Sequence, residues 1–582
     1  MPGPAVTGDL APGPAPAMSP SQRTAAAIIG ALAAGGTRLL FGIPGGGPNL
    51  DVVGAAAAGG LRFVLAHGET AATIMAATCA DLTGAPGAVV VTRGPGLASA
   101  VNGIAHAALD RLPVIVIADT VPAQDRDRIS HQRLDQAALG RSAAKAAITV
   151  SAGEAGQVAR HAVALAAARP PGPVVLNVDA SQHGARPADG SLPASSTRPP
   201  DIAPPDGALL HGTDPRAAIP SDDLAPLAAA LRAAWRPVVL LGPGALPYTG
   251  AVRAVLVGSG IPALHSYRAR GIVPDSSAEA AGLFTGGTME SPLLAAADLI
   301  IGLGIDPVEL IPAAWTYPAP AVLVTDVPNG SAGYFTGGAE LVGPLPAAIA
   351  ALGAHRGRHS WPHAAGVAAK TAAADGLRRA ATAAPGWLTP QDVVATVRAH
   401  TPSGTIATVD AGAHMLVAMP LWPVEEPHEL LISSGLATMG FALPAAIGAA
   451  LCTPGQPVIA FTGDGGLGMA LMEIETAVRH RLRVIVVVFN DATLSLIKIK
   501  QQAAGQGGTG AVGYGPVSFA AVATAMGAAA AAVTDVAELD AALAQALSRA
   551  GPTLIDARVD PAAYPAVMDL TRGAAGRRGA LE

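Results

Sequence analysis

Residues 458–491 read VIAFTGDGGLGMALMEIETAVRHRLRVIVVVFND. Two unbroken apolar runs, Val458 to Phe461 and Val484 to Phe489, flank a helical pattern from Met469 to His480. Continuous Val/Ile runs mark strands buried on both faces, as in a parallel sheet covered by helices. Each run ends in a polar cluster, Thr462-Gly463-Asp464-Gly465-Gly466 and Asn490-Asp491. Both clusters therefore fall at carboxyl ends of parallel strands, where open α/β sheets bind ligands. Glycines let the backbone approach an anion, and N–H groups at a helix start favour phosphate. Asp464 and Asp491 add hard oxygen ligands suited to Mg2+ beside a diphosphate.

The same alternation runs outward through the chain. Val114-Ile115-Val116-Ile117, Val174-Val175-Leu176, Val238-Val239-Leu240-Leu241 and Leu299-Ile300-Ile301 are further apolar runs separated by helical stretches. This predicts an α/β fold of three doubly wound parallel-sheet units. A stretch dense in proline, 186–221, and a second break at 353–387 separate units at 21–185, 222–352 and 388–570. Residues 1–20 read as a disordered leader and 571–582 as a tail. The leader holds no Lys or Arg, so it lacks the charged start of a signal peptide.

Composition narrows the function classes. Net charge is −6 without a basic block, which argues against nucleic acid as a partner. No apolar run is long enough to span a bilayer, so no membrane partner is expected. The two cysteines, Cys79 and Cys452, lack metal-ligand spacing, and fit a reducing cytoplasm with no disulfide framework. Of 36 basic residues only Lys145, Lys370, Lys498 and Lys500 are lysine.

Gly463-Asp464-Gly465 followed by Asn490-Asp491, with Asp491 27 residues after Asp464, resembles the signature of thiamine-diphosphate-dependent enzymes. That resemblance implies Mg2+ ligation by Asp464, Asp491 and the backbone carbonyl of Thr493, with Gly463, Gly465 and Gly466 around the diphosphate. Asp491 stands where the family has Asn, which adds a negative charge. Three earlier pieces, Phe41-Gly42-Ile43-Pro44-Gly45-Gly46-Gly47, Ala66-His67-Gly68-Glu69-Thr70 and Thr92-Arg93-Gly94-Pro95-Gly96, look like the family's pyrimidine-binding domain. There Glu69 would bond the aminopyrimidine ring nitrogen and start the proton relay that activates the cofactor, with Gly46 and Gly47 beside it. A buried apolar setting would favour proton sharing by that carboxyl. The first, middle and last units then correspond to pyrimidine-binding, central and diphosphate-binding domains.

The match extends towards the acetolactate synthases. Gly435-Leu436-Ala437-Thr438-Met439-Gly440-Phe441 is close to their Gly-rich segment, with Gly435 and Thr438 near the cofactor and Met439 as the apolar wedge that bends it. Asp410-Ala411-Gly412-Ala413-His414 resembles the segment whose Gly412, Ala413 and His414 meet the diphosphate. His131-Gln132-Arg133 occupies the place of the family's Phe-Gln-Glu, which makes Gln132 the active-site amide and puts His131 near substrate. Two departures concern the acceptor. In Gly304-Ile305-Asp306-Pro307-Val308-Glu309-Leu310, Leu310 replaces the family's acceptor-binding Arg, and Lys500 replaces a Trp. Lys498 or Lys500 is expected to face the substrate entrance, where a compact ammonium can pair with an anion. The glycine clusters at Gly286-Gly287 and Gly302-Leu303-Gly304 are too common to mark a dinucleotide site, so FAD is not favoured. The resemblance implies a carboligase acting on a 2-ketoacid, with a simple decarboxylase or lyase as the alternative and a non-catalytic relative as a third. It also implies a homodimer or tetramer, with each site between subunits.

Overall fold

The computed structural model describes residues 18–151, 153–179, 219–220, 224–311, 313–508 and 510–576. Three wholly parallel sheets form, one in each unit. In the first, the spatial order is Arg62–Leu65, Leu39–Ile43, Gly87–Val91, Val114–Thr120, Val174–Asp179, Ala146–Val150. The last unit repeats that order with Leu430–Ile432, Ile406–Val409, Val458–Gly463, Val484–Asn490, Thr553–Arg558 and Ala529–Val533. In both, the chain first winds one way from its opening strand and then returns to that strand's other side. That reversal opens a crevice at the carboxyl ends of the two adjoining strands. The central sheet runs Ala280–Leu283, Ala263–His265, Pro237–Leu241, Leu299–Leu303, Ala321–Thr325, Ala339–Val342, Ile219–Pro220. Every residue of Val458–Phe461 and Val484–Phe489 is buried, as two-faced coverage by helices requires.

The first and last units share one apolar core. Phe41, Ile74 and Met75 pack in the same cluster as Phe441, Leu443 and Ile447. Helices Glu69–Thr83 and Ala442–Cys452 meet across this junction. Cys79 and Cys452, on those two helices, are disulfide-paired with Cα atoms 6.1 Å apart. This corrects the reading of two unrelated thiols and removes cysteine usage as a sign of a reducing compartment. Residues 373 apart in sequence give no local sign of such a pairing.

The connecting stretches carry structure of their own, and a helix was expected in the second. Helix Ala365–Arg379 lies within 353–387 and packs on strand Ala280–Leu283. Ile219–Pro220, at the end of the proline-dense stretch, pairs with Leu341–Val342, while residues 186–218 lie outside the described residues. The helix beginning at Tyr564 runs on to Gly576, past residue 570 where a tail was expected. Of the expected leader, residues 1–17 lie outside the described residues, and helix Pro20–Ala34 opens behind a capping box of Ser19 and Gln22. Among the described residues no helix is long and apolar enough to cross a membrane.

Candidate active site

The crevice of the last unit lies between Ile406–Val409 and Val458–Gly463. Asp410 ends the first of these strands and is almost fully buried. Its carboxylate accepts from Thr462 Oγ1 at 3.0 Å, Ala411 N at 2.9 Å, and Gly440 N and Phe441 N at 3.2 Å. One carboxylate thereby ties the Gly-Asp-Gly strand to the glycine-rich segment that carries Met439. Burial pushes the Asp410 carboxyl up to about 6. Gly466 is required here by space, since a Cβ at that position would lie 2.5 Å from Asp410 Oδ2. Helix begins at Asp464 itself and breaks after Ala470, earlier than the pattern from Met469 indicated.

A cavity of about 1330 Å3 opens from this crevice. Its wall includes Gly412, Ala413, His414, Met439, Gly463, Asp464, Gly465, Gly466, Asp491, Thr493 and Lys500, eleven residues that the sequence singled out. Asp464 Oδ1 accepts from Gly465 N at 2.7 Å, while its buried Oδ2 has no protein partner. The buried His414 Nε2 is likewise unpartnered. Burial pushes the His414 imidazole down to about 4, so it is neutral near pH 7. Burial, and then the neighbouring Asp464 charge, push Asp491 up to about 6. Asn490 is turned away, donating to Asp556 Oδ1 at 2.8 Å and to the Val517 carbonyl at 3.2 Å. Of that pair only Asp491 reaches the cavity.

These residues suit a metal-bound diphosphate. Two mutually repelling carboxylates, the buried Asp464 with an orphaned oxygen and the half-buried Asp491, are relieved by a hard divalent cation. Among the described residues no three His, Cys, Asp or Glu side chains converge. A cation here would therefore rest on two carboxylates and backbone oxygen.

The first unit gathers its own set at the equivalent crevice. Glu69 opens helix Glu69–Thr83 and is half-buried, with Oε1 3.4 Å from where a Cβ on Gly96 would stand. Gln132, at φ +55°, places its carbonyl against Gly94, where a Cβ would meet it at 2.5 Å. Asp119 ends strand Val114–Thr120, accepts from Arg93 N at 2.9 Å and lies beside Gly47. Glu69, Gln132 and Gly47, with their chain neighbours Gly46 and His131, thus border the stretch 93–96, and none of them lines the cavity of the last unit. A single chain carries these two sets of residues at separate crevices.

Three expected residues stand back from the cavity. Thr438 donates to Asn102 Oδ1 at 2.8 Å and Gly435 N to Asp110 Oδ1 at 2.7 Å, so both pin the Met439 segment to the first unit. Lys498 is half-buried and acts on Asp491 through its charge. Sequence reasoning missed Glu473, which is 2 % exposed and accepts from His67 N at 2.9 Å and Gly68 N at 3.1 Å, immediately before Glu69. It also missed Arg572, Tyr334 and Tyr564 in the cavity wall. A carboxylate between two apolar residues, Met472-Glu473-Ile474, was the available sign for Glu473.

Comparisons with known proteins agree with this geometry. Residues 22–139 match the thiamine pyrophosphate enzyme N-terminal TPP binding domain, and 410–557 match the C-terminal TPP binding domain. The chain is 31% identical to the catabolic acetolactate synthase of Raoultella terrigena over 82% of this chain and 84% of that protein. It is 28% identical to the acetolactate synthase of Bacillus subtilis over 93% of each. A solved structure of the thiamine diphosphate-dependent 4-hydroxybenzoylformate decarboxylase of Rhodococcus jostii RHA1 shares the fold, with TM-score 0.75 and 20% identity over 92% of this chain and 99% of that one. The paired crevices, the Gly-Asp-Gly strand end and these relatives together place the chain in the thiamine-pyrophosphate-dependent enzyme family, among its acetolactate-synthase-like members.

Proposed function

We propose that the chain is a Mg2+-dependent carboligase that decarboxylates a 2-ketoacid and joins the remaining carbons to a second carbonyl, at sites shared between two subunits. Bound thiamine diphosphate supplies the electron sink for bond changes next to a carbonyl. Asp464, Asp491 and the Thr493 carbonyl hold the cation. Gly412 to His414 and Gly463 to Gly466 receive the diphosphate, and Met439 shapes the cavity wall. Glu69 reaches the pyrimidine ring nitrogen as its hydrogen-bond partner and relays a proton there, with Gln132 beside it. The reading is carried by the separation of the two half-sites, because Glu69 is absent from the wall of its own chain's cavity. A homodimer is the smallest assembly that unites them.

Leu310 favours a second reading. It is 8 % exposed and packed with Phe284, Leu293 and Ile305, so that position offers no charge to an acceptor. A decarboxylase that protonates its product needs no acceptor group. Incubation of cofactor-loaded protein with a panel of 2-ketoacids, followed by carbon dioxide measurement and NMR of the products, separates the two. A coupled product that appears when a second carbonyl is supplied supports ligation. An aldehyde formed in the same yield with and without it establishes the decarboxylase.

A further inference from the structure

Helix Tyr564–Gly576 crosses the cavity from the end of the chain, and Tyr564, Met568 and Arg572 all line it. Their four-residue spacing puts them on one face of the helix. Gly573 follows at φ 69°, ψ 169°, a left-handed conformation that favours glycine and breaks the helix just after Arg572. The Arg572 guanidinium lies 5.5 Å from the centre of the Tyr267 ring, and Nη1 donates to the Thr285 carbonyl at 3.3 Å. It forms no ion pair among the described residues, so the donors beyond those used on Thr285 and Tyr267 remain for a ligand.

The surroundings are fixed. Glu290 is 3 % exposed and accepts from Thr285 N at 2.9 Å and Gly287 N at 3.1 Å, which holds the cavity loop Thr285 to Thr288 from beneath. Thr288 N donates to the Leu570 carbonyl at 3.1 Å, clamping that loop to the helix that bears Arg572. Tyr334, pushed up to about 12 by burial, remains a neutral hydroxyl donor in the same wall. The acidic side chains of the cavity wall are Asp464 and Asp491, both assigned above to the cation. Arg572 therefore lacks a counter-ion among the described residues, in a cavity larger than the usual 300–1,000 Å3 of small-molecule sites.

We infer that Arg572 anchors the carboxylate of a ketoacid acceptor, supplying from the C-terminal helix the charge that Leu310 withholds. The inference rests on the reaction proposed above for this cavity. A planar guanidinium pairs with a carboxylate through two parallel N–H donors, a geometry an ammonium does not reproduce.

Calorimetry on the holoenzyme tests it with oxamate, an uncleavable isostere of a small 2-ketoacid, and oxamide, its neutral counterpart. In Arg572→Gln the oxamate affinity falls roughly 10- to 100-fold. Oxamide and thiamine diphosphate affinities stay within about two-fold, and Arg572→Lys recovers part of the loss. In turnover the same substitution raises KM more than it lowers kcat. The inference is overturned if oxamate fails to bind the wild type, if it binds wild type and variant alike, or if oxamate, oxamide and cofactor weaken together as for a purely structural clamp. Arg572-dependent oxamate binding without turnover of any 2-ketoacid refutes the proposed reaction while leaving the carboxylate anchor in place.

Discussion

Asp410 shows how one residue sets the local energetics of the crevice. With its carboxyl raised from 3.8 to about 6, the folded protein binds more protons than the unfolded chain across that interval. Its contribution to stability is therefore greatest below pH 4 and is lost as pH rises through about 6. The full swing is of order 2–3 kcal/mol. Urea midpoints of the cofactor-free protein should fall more steeply between pH 4.5 and 7 in wild type than in Asp410→Asn, which cannot ionise. Equal slopes contradict the assignment. For Glu69→Gln, kcat should drop roughly 100- to 10,000-fold, while cofactor affinity, which depends on the other half-site, changes little. Asp464 and Asp491 were legible because each closes an apolar strand, so local pattern alone sent them to a ligand-binding edge. Arg572 was not legible, because its role depends on a helix folding back over a cavity built by residues some 70 to 290 positions earlier.

At the scale of elements, the Gly-Asp-Gly strand end tolerates substitution only where space permits. Gly466→Ala drives a methyl against the Asp410 carboxylate, which four hydrogen bonds hold in place. A loss of about 1–3 kcal/mol in thermal or urea unfolding is expected, with weaker cofactor binding. Two residues along, a Cβ on Gly468 would meet nothing within 4 Å, so Gly468→Ala should be neutral or stabilising in this helix. The reverse ranking would show that the crevice is arranged otherwise. The strands themselves were readable from composition. Val114 to Ile117 became Val114–Thr120, and Val484 to Phe489 became Val484–Asn490, because a run buried on both faces has no polar alternation to mislead. Helix starts were less readable, since glycines at 465, 466 and 468 suggest a loop although the chain is already helical at Asp464.

At the scale of the whole molecule, three sheets were predictable from repetition, but their joints were not. The Cys79–Cys452 pairing and the bonds from Glu473 to His67 N and Gly68 N link segments hundreds of residues apart. Nothing in the periodicity of either partner signals them. The two-subunit site makes a prediction at this scale. Glu69→Gln and Asp464→Ala are each inactive alone, but mixed under conditions of subunit exchange they form about half heterodimers. Each heterodimer has one site with both intact contributions, so about a quarter of wild-type activity should return. If none returns after exchange is verified, both groups belong to a site within one chain.

The most direct measurement is titration of thiamine diphosphate into the purified chain by calorimetry, with and without Mg2+, for wild type and Asp464→Ala. Saturable binding that requires the cation and is lost in the variant is the expected result. Absence of binding with Mg2+ supplied, or equal binding by Asp464→Ala, would contradict the assignment of the cavity.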